Sequence, residues 1–257
     1  MKRSVIRWLL LFLAAGFVPC RAEWHVLSRE SVDAPKGLDF QRIEMGGTYG
    51  ERAEIHAVQF SPKTHAFAVM DNPAGVYDTQ SAALKRGASA AVNGGYFQSD
   101  RTPLGLVVRQ GAEIHPMEKA RLLSGFVAVR GGRMALLRVA EFHMSPSVTE
   151  ALQAGPFLID GGKAVSGLEA TRRAERTVVF SENDGRFGVL ILKSATLSEA
   201  AAILTTSQLF ESGKITRALN LDGGSSTALW VRGDPAFYAR EWKQVRTYLA
   251  VVPRPAS

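Results

Sequence analysis

The sequence holds a single cysteine, Cys20, among 257 residues. Cys20 ends an N-terminal apolar run, so a chain trimmed just beyond it keeps no thiol and forms no disulfide. Its stability must then come from apolar burial. Linkers are missing too. There is no Pro- or Ser-rich spacer, no long run of charge and no repeat at a fixed period, which argues against solenoids and tethered modules. His25, His56, His65, His115 and His143 are scattered with no His-x-x-x-His spacing, so no zinc site is suggested. No Gly-x-Ser-x-Gly elbow is present, which leaves serine-hydrolase chemistry without support. The positive charge is also smaller than it looks. Lys2, Arg3, Arg7 and Arg21 lie in the first 22 residues, which carry no acid; the rest has 27 basic and 24 acidic residues, a net of +3 rather than +7. That balance is too mild to imply a nucleic-acid partner.

The longest apolar stretch near the start, residues 8–18, counts 11 residues, short of a comfortable bilayer span. Basic residues precede it, and Pro19-Cys20-Arg21-Ala22 closes it with small residues flanking a cleavage point before Glu23. This is the pattern of a signal peptide over residues 1–22, followed by one domain over residues 23–257. A periplasmic or secreted protein with no stable membrane span is expected. Phe17-Val18-Pro19 lacks the small residues a lipobox needs, so lipid anchoring at Cys20 is not expected.

At 46% hydrophobic and 21% charged residues, the chain has enough apolar material for a core. Short alternating runs dominate and predict strands at 24–27, 39–45, 54–60, 65–70, 89–92, 105–109, 126–130 and 134–139. Further strands are predicted at 157–159, 177–181, 187–193, 218–221, 228–231 and 248–252. Gln110-Gly111, Gly131-Gly132 and Asn183-Asp184-Gly185 read as turns. One short helix is predicted over 78–86, stopped by Gly87. A second starts at the Thr196-x-x-Glu199 capping box, runs through the helix formers of 200–209 and ends by Gly213. Many strands and few helices indicate an α+β fold with a mixed, strand-rich central sheet partly covered by helices.

Four polar corners interrupt this pattern. The run Asn220-Leu221-Asp222-Gly223-Gly224-Ser225-Ser226-Thr227 joins two apolar segments. Its glycines allow positive φ and convergent N–H groups, and its hydroxyls add donors beside Asp222. It reads either as a decorated hairpin or as a binding turn. It is not a nucleotide P-loop, since it lacks the Gly-Lys-Ser/Thr ending. Asn93-Gly94-Gly95-Tyr96-Phe97 repeats the grammar, Gln153-Ala154-Gly155-Pro156 puts an amide before a Gly-Pro bend, and Arg172-Arg173-Ala174-Glu175-Arg176-Thr177 leads into a strand. Together they suggest one site at the ends of a sheet.

On these residues the chain resembles the phosphodiester glycosidase family. The matching pieces, in family order, are residues 93–97, 103–108 with Gly111, 153–158, Arg176-Thr177, Asp184-Gly185-Arg186, Leu197 with Glu199-Ala200, the run 218–227 and Arg246. They extend from about residue 55 to 252. The chain departs from many relatives in having Val178-Val179-Phe180 after Thr177 and one glycine fewer in the turn.

The resemblance implies an exported hydrolase that breaks sugar-1-phosphodiester bonds, with N-acetylglucosamine-like sugars, in cell-surface glycan or exopolysaccharide. The alternative is a non-catalytic periplasmic glycan-binding protein on the same scaffold. Because phosphate is already a good leaving group, charge neutralisation matters more than protonation. Arg176 and Arg246 are the candidate phosphate ligands, by bidentate guanidinium contact. The Gly223-Gly224-Ser225-Ser226 turn, with Gly94 and Thr177, offers further contacts. Asp222 is the first catalytic carboxylate, as nucleophile, general acid/base or metal ligand. Glu175 is the candidate second carboxylate, or else a salt-bridge partner of its arginine neighbours. Asn93 and Gln153 either orient substrate or hold turns. Tyr96 and Phe97 either stack on sugar or belong to the core. No cofactor is required, although a hard divalent cation on Asp222 stays open.

Overall fold

The computed structural model describes residues 23–255, so the leader expected over residues 1–22 lies outside the described residues. The chain first forms β1 (Trp24–Val32), β2 (Leu38–Gly47), β3 (Arg52–Phe60) and β4 (His65–Asp71), then α1 (Thr79–Arg86) and β5 (Ala90–Asn93). Five strands follow: β6 (Val107–Arg109), β7 (Ala112–His115), β8 (Gly125–Arg130), β9 (Arg133–Arg138) and β10 (Val148–Ala154). Next come β11 (Phe157–Asp160), β12 (Lys163–Ala164), β13 (Ala174–Glu182), β14 (Phe187–Ala195) and α2 (Leu197–Leu204). The chain closes with β15 (Ile215–Asn220), β16 (Leu229–Val231), β17 (Phe237–Ala239) and β18 (Thr247–Pro253).

These strands build three sheets, not one. The first has the order β1-β2-β3-β14-β13-β15-β11-β12, the second β7-β6-β10-β8-β9 and the third β17-β16-β5-β18-β4. Among the described residues every strand pair is antiparallel, which corrects the expected mixed sheet. The reason lies in the connections. Parallel neighbours need long crossovers, usually helical, whereas two short helices and many tight turns favour antiparallel pairing.

Alternation along each strand decides what faces what. In β13, Val179 joins an apolar cluster shared by all three sheets, while Val178 and Phe180 on the other face pack with α2. The shared cluster takes Val58 and Leu219 from the first sheet, Val127 and Leu152 from the second, and Val92 and Leu249 from the third. The outer face of the third sheet is covered by α1 through Ala83. Glu150 on β10 adds a polar tie, accepting the Val69 N–H of β4 at 2.9 Å.

Both helices are capped as their sequences require. The Asp78 carboxylate accepts the Ser81 N–H, and Gly87 ends α1 in the left-handed conformation at φ 68°. Thr196 and Glu199 complete the reciprocal capping box of α2. Yet α2 stops at Leu204, earlier than its composition suggests. The Thr205 hydroxyl donates to the Ala201 and Ala202 carbonyls at 3.1 and 2.9 Å, satisfying the last turn where it ends. Strands β7, β10, β12 and β17 were not legible as separate runs. Phe157, fully buried in the shared cluster at the start of β11, lies under the Arg138 guanidinium at 4.3 Å. Phe157→Ala is expected to cost about 3–5 kcal/mol, read as a lower urea unfolding midpoint; a loss well under 1 kcal/mol would mean this corner collapses around the gap.

Candidate functional site

Where the chain passes between sheets, its backbone leaves the hydrogen-bond ladders, and two such crossings meet. Residues 221–228 carry it from β15 in the first sheet to β16 in the third. The glycine turn is therefore no hairpin. Residues 155–156, joined by a cis Gly155–Pro156 bond, carry it from β10 in the second sheet to β11 in the first. The end of β5 and the start of β13 reach the same place. The Leu221 N–H donates to the Thr177 carbonyl at 2.8 Å, and the Asp222 N–H to the Gly94 carbonyl at 3.1 Å. The turn itself is a short 3-10 segment, Gly224–Ser226. Gly224 has φ 61°, and a Cβ on Gly223 would lie 2.7 Å from the Glu175 carbonyl oxygen, so each position needs glycine for a different reason.

Two asparagines hold the crossing together. Asn93 is completely buried. Its Nδ2 donates to the Asp222 carbonyl at 2.7 Å, while its Oδ1 accepts the Thr177 hydroxyl at 2.6 Å and the Ala228 N–H at 3.1 Å. Asn220 bridges the two crossings. Its Nδ2 donates to the Tyr96 hydroxyl at 2.9 Å and to the Gly155 carbonyl at 3.2 Å. The Tyr96 hydroxyl donates to the same carbonyl at 2.6 Å. Burial, and next the Asp222 charge, push the Tyr96 phenol up, so it stays a protonated donor.

Asp222 is half-buried within this frame. Burial pushes its carboxyl above the ordinary aspartate range, against the pull of the Ser226 hydroxyl, the Gly223 N–H and the Lys243 charge. The Gly223 N–H donates to Asp222 Oδ1 at 2.9 Å. A partly desolvated carboxylate within reach of a lysine charge is an arrangement suited to an acid or base. Among the described residues no three His, Cys, Asp or Glu side chains group as a metal ion would require.

The remaining sequence candidates separate. Ser226 is buried beside Asp222, Ser225 is exposed, and Thr177 is buried on Asn93. Arg176 is near Tyr96 but half-buried. Its Nε donates to the Ala195 carbonyl at 2.9 Å, one terminal nitrogen to the Arg172 carbonyl at 2.6 Å, and Glu169 lies 3.9 Å away. Burial lowers its pKa, with Glu169 opposing, although a guanidinium remains charged at neutral pH. Glu175, half-buried where its carbonyl meets Gly223, is not the ion-pair partner of its neighbours. Arg173 pairs instead with Glu199.

Two candidates have their polar groups engaged within the fold. Gln153 is fully buried, and its amide works entirely on main chain. Its Oε1 accepts the Leu106 and Glu118 N–H groups at 2.9 and 3.1 Å, and its Nε2 donates to the Glu118 carbonyl at 2.8 Å. It clamps a loop rather than presenting an amide to substrate. Arg246 forms a two-point ion pair with Asp71, at 2.7 and 3.2 Å, and donates to the Arg101 carbonyl at 2.7 Å. Its fork is filled, so it is not a free phosphate ligand.

A sequence model of phosphodiester glycosidases matches residues 86–252. The chain belongs to the phosphodiester glycosidase family. No curated protein sequence matches it. Among solved structures it is similar to the catalytic domain of zebrafish N-acetylglucosamine-1-phosphodiester alpha-N-acetylglucosaminidase, auto-inhibited by pro-peptide. That likeness has a TM-score of 0.61 and 13% identity, over 88% of each chain. It is also similar to a hypothetical protein from Synechocystis, with a TM-score of 0.62 and 16% identity, over 88% of this chain and 64% of that one. At such identities the likenesses establish the fold.

Within this family member, sequence reasoning gave no role to Asn220 or to Lys243. An asparagine inside an apolar strand was the available signal for Asn220, since a buried amide must be bonded. Lys243 carried none, because the reach of its charge to Asp222 depends on a segment outside the motifs. Phe97 is partly buried against the Tyr248 cluster, below the Lys243 ammonium at 5.3 Å.

Two outcomes follow from this frame. Asn93→Ala strands the Asp222 carbonyl and the Ala228 N–H, at about 1–3 kcal/mol for each group. Its urea midpoint should fall accordingly; an unchanged midpoint would remove Asn93 from the framework. Asp222 has a higher pKa folded than unfolded. Its contribution to stability is thus complete below the ordinary aspartate pKa and lost as pH rises through the raised folded value. Asp222→Asn should match or exceed the parent's unfolding midpoint at neutral pH, with the gain vanishing in acid. A less stable variant at neutral pH would contradict the desolvated carboxylate.

Proposed function

We propose that the chain is an exported hydrolase of sugar-1-phosphodiesters, acting on N-acetylglucosamine-like sugars in cell-surface glycan or exopolysaccharide. The observation that carries this reading is Asp222. It is a carboxylate with a raised pKa in the family's Asn-Leu-Asp-Gly-Gly run, within reach of the Lys243 charge. The basic and apolar pattern of residues 1–22 supports export. No helix among the described residues is long and apolar enough to cross a membrane.

The reaction forms a bond from a water oxygen to the anomeric carbon and breaks the bond from that carbon to the phosphate oxygen. The departing phosphate monoester takes the electron pair and needs a cation more than a proton. Lys243 and Arg176 supply positive charge. A raised pKa makes Asp222 a better base, suited to take the proton from the attacking water. Glu175, across Gly223, is the second carboxylate. Asn93 acts through Asp222 by holding its backbone carbonyl, while Asn220 and Tyr96 hold the neighbouring Gly155 corner.

The test is free-sugar release from alkyl-phospho-N-acetylglucosamine in both anomers, with matching aryl glycosides as controls. Release from a phosphodiester but not from the aryl glycoside is expected. Asp222→Asn should cut it by about 10²–10⁴-fold while ligand still binds. The acidic limb of the pH–rate profile should lie above the ordinary aspartate range. A folded protein that binds glycan yet releases no sugar from any of them would sink the hydrolase reading and leave a glycan-binding protein.

A further inference from the structure

Trp242 is 86% exposed, whereas Trp24 and Trp230 are 7% and 1% exposed. A singly exposed apolar side chain needs no explanation by itself. The segment carrying this one does, because it is fastened on every side. Before it, Arg240 pairs with Asp78 at 3.1 Å. The buried Glu241 accepts the Thr79 N–H at the start of α1 at 2.7 Å and the Tyr238 hydroxyl at 2.8 Å. After it, the Arg101 guanidinium donates to the Gln244 and Val245 carbonyls at 3.2 and 2.9 Å. The Trp242 N–H itself donates to the Ser225 carbonyl, inside the glycine turn, at 3.0 Å. Between these fastenings Trp242, Lys243 and Gln244 turn their side chains to solvent, and Lys243 is the residue whose charge reaches Asp222.

A fold that anchors a bare indole to the catalytic turn presents a preorganised surface. An indole is a flat, rigid, amphipathic face, and a pyranose ring offers a matching apolar face of C–H groups. A neighbouring ammonium suits an anion joined to that ring. We infer that Trp242 and Lys243 form the outer wall of the substrate site, with the indole stacking on a sugar ring and the ammonium facing the phosphodiester. This rests on the sugar-phosphodiester reading above. It also replaces Arg246, whose guanidinium is filled by Asp71, with a lysine that has no ion-pair partner among the described residues.

The experiment reads tryptophan fluorescence and acrylamide quenching of the purified protein, titrated with alkyl-phospho-N-acetylglucosamine. N-acetylglucosamine alone and inorganic phosphate alone serve as reference probes. Trp242→Phe identifies the part of the signal that belongs to Trp242. The phosphodiester should shield Trp242 from acrylamide, and Trp242→Ala should weaken binding by about 3- to 10-fold, with the loss in KM and partial recovery in Trp242→Phe. Lys243→Gln should weaken the phosphodiester and phosphate more than the bare sugar and flatten the salt dependence of binding. Hydrolysis with an unshielded Trp242 and an unchanged KM in Trp242→Ala would overturn the wall and leave the hydrolase standing. A shielded Trp242 without sugar release would support the wall and overturn the hydrolase. No shielding and no release would overturn both.

Discussion

The structure depends on how main-chain polar groups are satisfied where the chain leaves one sheet for another. A strand's ladder provides partners only within its own sheet. At residues 221–228 and 155–156 the chain steps across, and its carbonyls and N–H groups would be stranded in a buried corner. Asn93 and Asn220 prevent this, because a side-chain amide donates and accepts like a peptide. Asn93 accepts from Thr177 of the first sheet and donates to the Asp222 carbonyl. Asn220 joins the Gly155 corner to Tyr96. If Asn93 were apolar, several buried groups would lose partners together.

The chemistry of the corner follows from that architecture. Three sheets share one apolar cluster, so their corner is short of water, and a carboxylate placed there becomes more basic. The same close packing forces glycine at position 223, where the Glu175 carbonyl approaches. Rigidity comes from the amides and the raised pKa from desolvation, and both fall on Asp222 because it is the residue at the crossing. The cationic side is different in kind. It comes from residues 240–246, a segment held by α1 and by Arg101 rather than by a ladder.

Much of this was legible in local patterns. Period-two alternation marked most of the strands, Gly131-Gly132 and Asn183-Asp184-Gly185 marked turns, Gly87 marked the end of the first helix and Thr196 the start of the second. The motif residues Asn93, Asp222 and Gly223 also meet as their grammar suggested. The differences have physical causes. Gln153 and Arg246 have the right chemistry for substrate, but main-chain groups and Asp71 already occupy them. The helix former run after Leu204 was outweighed by a threonine hydroxyl that satisfies the last turn.

The sequence by itself determined the strand-rich class, the helix caps, the polar corners and the family, because alternation, capping and turn chemistry act between residues a few positions apart. Only the tertiary structure decided that there are three antiparallel sheets, that the glycine turn is a crossing rather than a hairpin, and which polar side chains are free. Those outcomes rest on contacts such as Asn93 with Asp222, 129 positions apart, or Arg246 with Asp71, 175 apart. No local pattern specifies such a contact. It is chosen by which buried groups can be paired at once when the sheets close on their common core.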